Sequence, residues 1–176
     1  KFAKKYGLYL RYANQLKVKG GSLRLIFSKK KPNTTEKLNL KKIIKKENLL
    51  VKKKDVFKKL VEQNNLNRDN IYAFIKQQHY MGKKIYGYGA SVGTTTNIYY
   101  LNVIKYIDAI FDDESLRHNL YLPGTGIKVI SPKKLKKVSP DIIIIFAWRY
   151  YKLILPKIKN LKGVKIIVPL PKMKKI

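Results

Sequence analysis

Three glycines, one serine and three threonines crowd into Gly87-Tyr88-Gly89-Ala90-Ser91-Val92-Gly93-Thr94-Thr95-Thr96. Glycine lets a backbone bend sharply and come close to a ligand. Ser and Thr suit the start of a helix, where the first backbone N–H groups have no partner inside the helix. A strand, a glycine turn and a helix N-terminus in that order make an anion site, most often for phosphate. The same residues also spell Gly89-x-Ser91-x-Gly93, the pattern of a hydrolase nucleophile. That chemistry needs an acid and a histidine placed after later strands. His118, just past the second strand, is the sole histidine downstream, so Ser91 is read with Thr94, Thr95 and Thr96 as a phosphate ligand or helix cap. The spacing Gly87-x-Gly89-x-x-x-Gly93 is one residue longer than the dinucleotide fingerprint, which weakens a nicotinamide reading. Asp112 and Asp113 lie ~20 residues beyond the glycines, where nucleotide folds hold a ribose hydroxyl. Asp is equally at home in a turn, and both readings stand.

These groups need a scaffold. Ile85 to Tyr88 reads as a short strand, Thr95–Leu101 as a helix and Tyr106–Phe111 as the next strand. Leu122-Pro123-Gly124-Thr125-Gly126 is a turn, Ile127–Ile130 a short strand, and Ser131-Pro132 a capped helix start. Ile142–Phe146 is a continuous apolar run, as in a parallel strand covered on both faces. Arg149–Lys159 is helical with Pro156 inside or at a break, and Val164–Val168 is the last strand, closed by Pro169-Leu170-Pro171. Alternating strands and helices predict a parallel, doubly wound sheet. Its ligands sit beyond the carboxyl ends of the strands, where Ser91, Asp112, Asp113 and Trp148 all fall. Upstream, Tyr6–Tyr12 and Leu23–Phe27 read as a hairpin around Gly20-Gly21, too small to stand alone. Thr34 to about Gly82 is helical, as one helix or two, with the polar stretch Asn64–Asn70 weakening its middle.

Lys and Arg total 40 against 10 Asp and Glu, a formal charge of +30. Two readings compete: a polyanion partner such as nucleic acid, or lysines spread over solvated faces. The absence of cysteine excludes disulfides, thiolate nucleophiles and cysteine zinc sites. His79 and His118 have no metal-ligand spacing. No apolar run approaches the ~20 residues needed to span a bilayer, and no signal peptide opens the sequence, so a soluble cytoplasmic chain is expected.

Taken in order, Tyr88-Gly89-Ala90-Ser91, Asp112-Asp113, Pro123-Gly124, Ser131-Pro132, Pro140-Asp141, Ala147-Trp148 and Val168-Pro169-Leu170-Pro171 resemble the C-terminal domain of the SAM-dependent sugar C-methyltransferases. Gly20-Gly21-Ser22-Leu23-Arg24 is similar to the last hairpin of that family's methyltransferase domain. The resemblance implies three parts: residues 1–28 as the terminal hairpin of a truncated methyltransferase domain, 29–83 as a helical connector, and 84–176 as a Rossmann-like substrate-binding domain. It implies methylation of a ring carbon of a nucleotide-diphosphate keto-sugar, with S-adenosyl-L-methionine (SAM) as cofactor. The SAM-binding strand and the catalytic base would lie before Lys1, so no catalytic residue and no metal ligand is expected here. Carried across, Tyr88, Gly89, Ala90, Ser91, Thr94, Thr95 and Thr96 would line the sugar-nucleotide pocket, with Asp112, Asp113, Arg117 and Trp148 around it. The pattern departs at Lys19, Glu114 and Arg149, where the family commonly has His, Asn and Asn.

Overall fold

Four consecutive isoleucines, Ile142–Ile145, form the innermost apolar strand, and all four are fully buried. Side chains of a strand alternate between faces. Ile142 and Ile144 therefore enter one core and Ile143 and Ile145 the other. A strand buried on both sides needs cover on both sides, and that requirement organises the residues around it.

The computed structural model describes residues 2–18, 21–51 and 55–176. The chain divides into two compact units, Lys1–Leu60 and Val61–Ile176. In the first, a short helix α1 (Phe2–Lys5) precedes a two-stranded antiparallel sheet of β1 (Tyr9–Leu16) and β2 (Ser22–Ser28), followed by α2 (Thr34–Val51). The first strand thus starts later than the expected Tyr6: Gly7 takes a left-handed φ of 68° and ends the helical turn first. Gly20 and Lys19 lie outside the described residues; the register shift of the pair falls between Leu10 and Tyr12. There Arg11 makes a two-pronged ion pair with Glu36, at 2.6 and 3.0 Å. Glu36 also accepts from Asn33 N while Asn33 Oδ1 accepts from Glu36 N, a capping box that starts α2.

α3 (Asp55–Tyr80) runs from the first unit into the second and is followed by β3 (Ile85–Tyr88), α4 (Val92–Leu101), β4 (Ala109–Phe111), β5 (Val129–Ile130), α5 (Leu135–Val138), β6 (Ile142–Ile145), α6 (Tyr151–Ile158), β7 (Lys165–Val168) and β8 (Lys174–Lys175). The strands order as β5-β4-β3-β6-β7-β8, the first five parallel and β8 antiparallel. This is a Rossmann-like α/β sheet. Ile71 and Ile75 of α3 and Ile98 and Leu101 of α4 cover one face; Leu135 of α5 and Ile154 and Ile158 of α6 cover the other. β8 has no counterpart in the sequence reading, because Lys174 and Lys175 carry no strand pattern.

The polar stretch Asn64–Asn70 lies inside α3 rather than interrupting it. Asn67 explains its polarity. It is buried, donates to Pro169 O at 3.0 Å and accepts from Met173 N at 2.7 Å, tying the helix to the segment after β7. After Tyr80, Gly82 adopts a φ of 72° and Lys83 N returns to Gln78 O, closing the helix as expected. At the other ends of the strands, Asp108 accepts from Ile85 N at 2.8 Å and Asp141 from Lys84 N at 2.9 Å, fixing the start of β3.

Two outcomes follow. Asn67→Ala leaves the Met173 N–H and the Pro169 carbonyl unpaired and should cost about 1–3 kcal/mol in denaturant unfolding. Asp141 is held below the usual carboxylate range by the bonds from Lys84 N and the Lys83 ammonium. A depressed folded value means stability present above the unfolded value of ~3.9 and lost as pH falls through the lower folded one. The stability advantage over Asp141→Asn should therefore vanish in acid and be complete at neutral pH, as read by thermal unfolding at several pH values.

Candidate functional site

From β3 the chain moves outward to β4 and β5, then returns to the opposite side of β3 for β6 and β7. The order reverses between β3 and β6. Adjacent loops diverge at such a point and leave a crevice beyond the carboxyl ends of the strands. Gly89-Ala90-Ser91 follows β3 and Ala147-Trp148-Arg149 follows β6, and the two segments touch where Gly89 packs on Ala147.

Gly89 makes the turn possible. Its φ is 93°, and a Cβ there would stand 2.4 Å from Ala147 Cβ. Gly87 serves packing instead: a Cβ would meet Ile110 at 2.8 Å and Phe146 at 2.9 Å inside the sheet. Gly93 has nothing within 4 Å of a Cβ position, so its surroundings are open.

The helix begins at Val92, with Ser91 as its cap, rather than at Thr95. Thr94 is fully buried. Its hydroxyl donates to Gly89 O at 2.6 Å and accepts from Ser91 N at 3.1 Å. With that proton committed, the 3.0 Å contact between the two hydroxyls has Ser91 as donor. Ser91 Oγ is thus a hydroxyl pointed at a threonine, with no base beside it, which excludes the nucleophile arrangement. Thr95 is half-buried and Thr96 exposed on the next turn of α4. Among the described residues, no protein acceptor takes the N–H of Val92 or Gly93, and Val92 is 97% exposed.

Asp112 and Asp113 sit together at the end of β4 and face different tasks. Asp112 is 5% exposed. Its carboxylate accepts from Ala90 N, from Glu114 N at 2.9 Å, and from Arg117 at 3.1 and 3.3 Å. This fills its acceptor sites and clamps the glycine turn to the end of the neighbouring strand. Asp113 is half exposed and accepts from Tyr88 OH at 2.8 Å and Lys157 at 2.9 Å. Burial works to raise the Asp113 value, but the bonds from Lys157 and Tyr88 outweigh it and hold the carboxyl below its usual range. Burial, with the bond to Asp113, pushes the Tyr88 phenol up, so it stays a neutral donor.

Trp148 follows β6 in a short 3-10 turn, and the Arg149 guanidinium lies over its ring at 4.3 Å. The structure so joins Ala90, Asp112 and Arg117 in one hydrogen-bonded cluster, Tyr88 and Asp113 with Lys157 in a second, and Gly89, Ser91 and Thr94 in a third, with Trp148 in the loop after β6. Arg149 escaped the sequence-derived set of site residues. Its signal was its position, immediately after an apolar strand and its aromatic. Among the described residues no three His, Asp or Glu side chains stand close enough to hold a metal, and no helix is long and apolar enough to cross a membrane.

Gly89→Ala should destabilise the fold by about 2–4 kcal/mol, through the left-handed φ and the clash at Ala147. Gly93→Ala, in open space, should be neutral or stabilising by up to about 1 kcal/mol. Chemical denaturation of the pair checks both.

Residues 17–171 match a family described as the C-methyltransferase C-terminal domain. No curated protein matches. Among solved structures, the UDP-D-quinovosamine 4-dehydrogenase of Vibrio fischeri is similar at 19% identity with a TM-score of 0.40, over 53% of this chain and 93% of that one.

Proposed function

Because the chain belongs to the C-methyltransferase C-terminal domain family, we propose that its Rossmann-like sheet binds the nucleotide-diphosphate keto-sugar of a SAM-dependent C-methyltransferase. The observation that carries this is the pair of open amides of Val92 and Gly93, beside the reversal of strand order. Two unpartnered N–H groups at the positive end of a helix favour a negative ligand. A diphosphate supplies the charge and the acceptor oxygens. Arg149, in the loop after β6, adds a cation at the same carboxyl-end edge of the sheet.

SAM supplies the methyl group in this chemistry. The residues at the crevice do not fit it. Its sulfonium is a cation, whereas the open amides of a helix N-terminus disfavour positive charge. We therefore place SAM outside this sheet and route no step through it here.

Proton removal next to the keto group needs a base within hydrogen-bond reach of that carbon. Asp112 has its acceptor sites filled, and Asp113 is engaged by Tyr88 and Lys157. The role assigned to this chain is accordingly binding and orientation. The Asp112 clamp fixes the turn, the α4 amides hold the diphosphate, and the sugar projects away from the sheet toward the rest of the enzyme. The hairpin β1–β2 is read as the terminal hairpin of a methyltransferase domain.

Gly93→Asp tests the reading. A carboxylate in the first turn of α4 favours the helix by about 0.3–1 kcal/mol, so the fold should be kept or slightly strengthened. The same carboxylate repels a diphosphate, and affinity for a nucleoside-diphosphate sugar should drop about tenfold or more by calorimetric titration. Unchanged affinity in a folded variant contradicts the proposed site.

A further inference from the structure

The positive charge of this protein is unevenly placed. Residues 1–60, the first compact unit, hold 20 Lys and Arg against 3 Asp and Glu, whereas residues 61–176 hold 20 against 7. The first unit is therefore much the more densely charged. Such asymmetry between parts of a chain points to an anionic partner for one part, not to solubility of the whole.

Helix α2 sets out this charge in rows. Lys37, Lys41 and Lys45 follow one another at four-residue steps, and Lys42 and Lys46 form a second row beside them. Four residues of helix advance about 6 Å and return to nearly the same face. All five lysines are exposed, as are Lys29, Lys30 and Lys31, which lead into the helix through Pro32 and Asn33. Among the described residues none of these lysines makes a salt bridge. The carboxylates of α2 belong to its other side. Glu36 pairs with Arg11 of β1, and Glu47 lines a groove with Gln15 and Leu23 of the hairpin.

The side chains among the lysines select the partner. A bilayer surface takes up a contiguous apolar stripe together with the cations. On α2 the exposed Leu38 and Leu49 stand about three turns apart with Lys42 and Lys45 between them, and the exposed Ile44 lies on another side. A single-stranded polynucleotide is held by stacking its bases on aromatic rings, and α2 contains no aromatic residue. A double row of cations without apolar or aromatic company matches the dense, regular phosphates of a duplex.

We propose that the outward face of α2, with Lys29–Lys31 leading into it, is a docking surface for the phosphate backbone of a nucleic-acid duplex. Phosphate contacts position a protein without reading bases, so binding is independent of sequence. The surface lies within the first unit and does not rest on the glycine turn as a diphosphate site.

Fluorescence anisotropy of a labelled DNA duplex of about 20 base pairs, titrated with the intact chain between about 50 and 200 mM salt, tests this. The logarithm of the association constant should fall linearly with that of salt, and each lost phosphate contact should reduce the slope by about 0.9. The triple change Lys37→Gln, Lys41→Gln and Lys45→Gln should reduce the slope by about 2–3 and weaken binding about tenfold or more at the lower salt. Gln matches Lys in helix propensity, so the circular dichroism spectrum should be unchanged. Lys134→Gln, Lys136→Gln and Lys137→Gln together remove the same charge from an exposed cluster of the second unit. That variant should bind within about threefold of the parent. Equal weakening by the two triple variants means that net charge alone binds the duplex, and overturns the proposal. Absence of binding by the parent at the lower salt overturns it too, as does tighter binding of the single strand. Retention on phosphatidylserine-rich vesicles that the α2 triple abolishes, with duplex binding unmoved, would assign the face to a lipid surface instead.

Discussion

A buried carboxylate surrounded by donors holds the ligand edge of this protein in shape. Asp112, at the end of β4, accepts from the main chain of Ala90 in the neighbouring turn, from Glu114 in its own loop and from the Arg117 guanidinium. A carboxylate this far from water is costly unless its bonds are complete. Here they are, and in satisfying itself the group fixes three segments at once. The glycine turn cannot drift from β4, the loop after β4 folds back over it, and Arg117 is aimed inward. Remove that constraint and Gly89, already in a left-handed conformation, has only the Thr94 hydroxyl to set its carbonyl.

The sheet decides where such a clamp is useful. Parallel strands bring all their carboxyl ends to one edge, and the reversal of order beside β3 opens that edge at a single place. The clamp therefore stiffens the segment after β3. Close packing of Gly89 on Ala147 fixes its distance to the segment after β6. What is left exposed is a pair of helix amides and an arginine on a tryptophan. The open amides and the arginine offer positive partial and full charge, which favours a negatively charged group.

The strands were legible because burial on both faces demands unbroken apolar runs, as in Ile142–Ile145, and because glycine and proline mark their ends. Ser131-Pro132 likewise announced its turn, where Ser131 accepts from Lys133 N. The roles of single polar residues were far less legible. Asp112 and Asp113 are adjacent and identical in sequence, yet one is sealed into the turn and the other pairs with Lys157 of α6; both lie just past the end of β4. Gly87 and Gly89 look alike too, but one yields space to Phe146 and the other to a backbone turn. Asn67 looked like a weak point in a helix and is instead its anchor to the segment after β7. β8 was invisible, since two lysines acquire a strand's geometry only by pairing with β7. In each case the missing information was a partner distant in sequence.

The central claim is that the open amides at the start of α4 bind the diphosphate. Amide-resolved NMR of the isotopically labelled chain, titrated with a nucleoside-diphosphate sugar, addresses it most directly. The account predicts saturable shifts that are largest at Val92 and Gly93 and extend to Ala90. Shifts scattered over the lysine-rich helix α2, with Val92 and Gly93 unmoved, would mean that the ligand meets only the diffuse positive charge of the surface, and would contradict it.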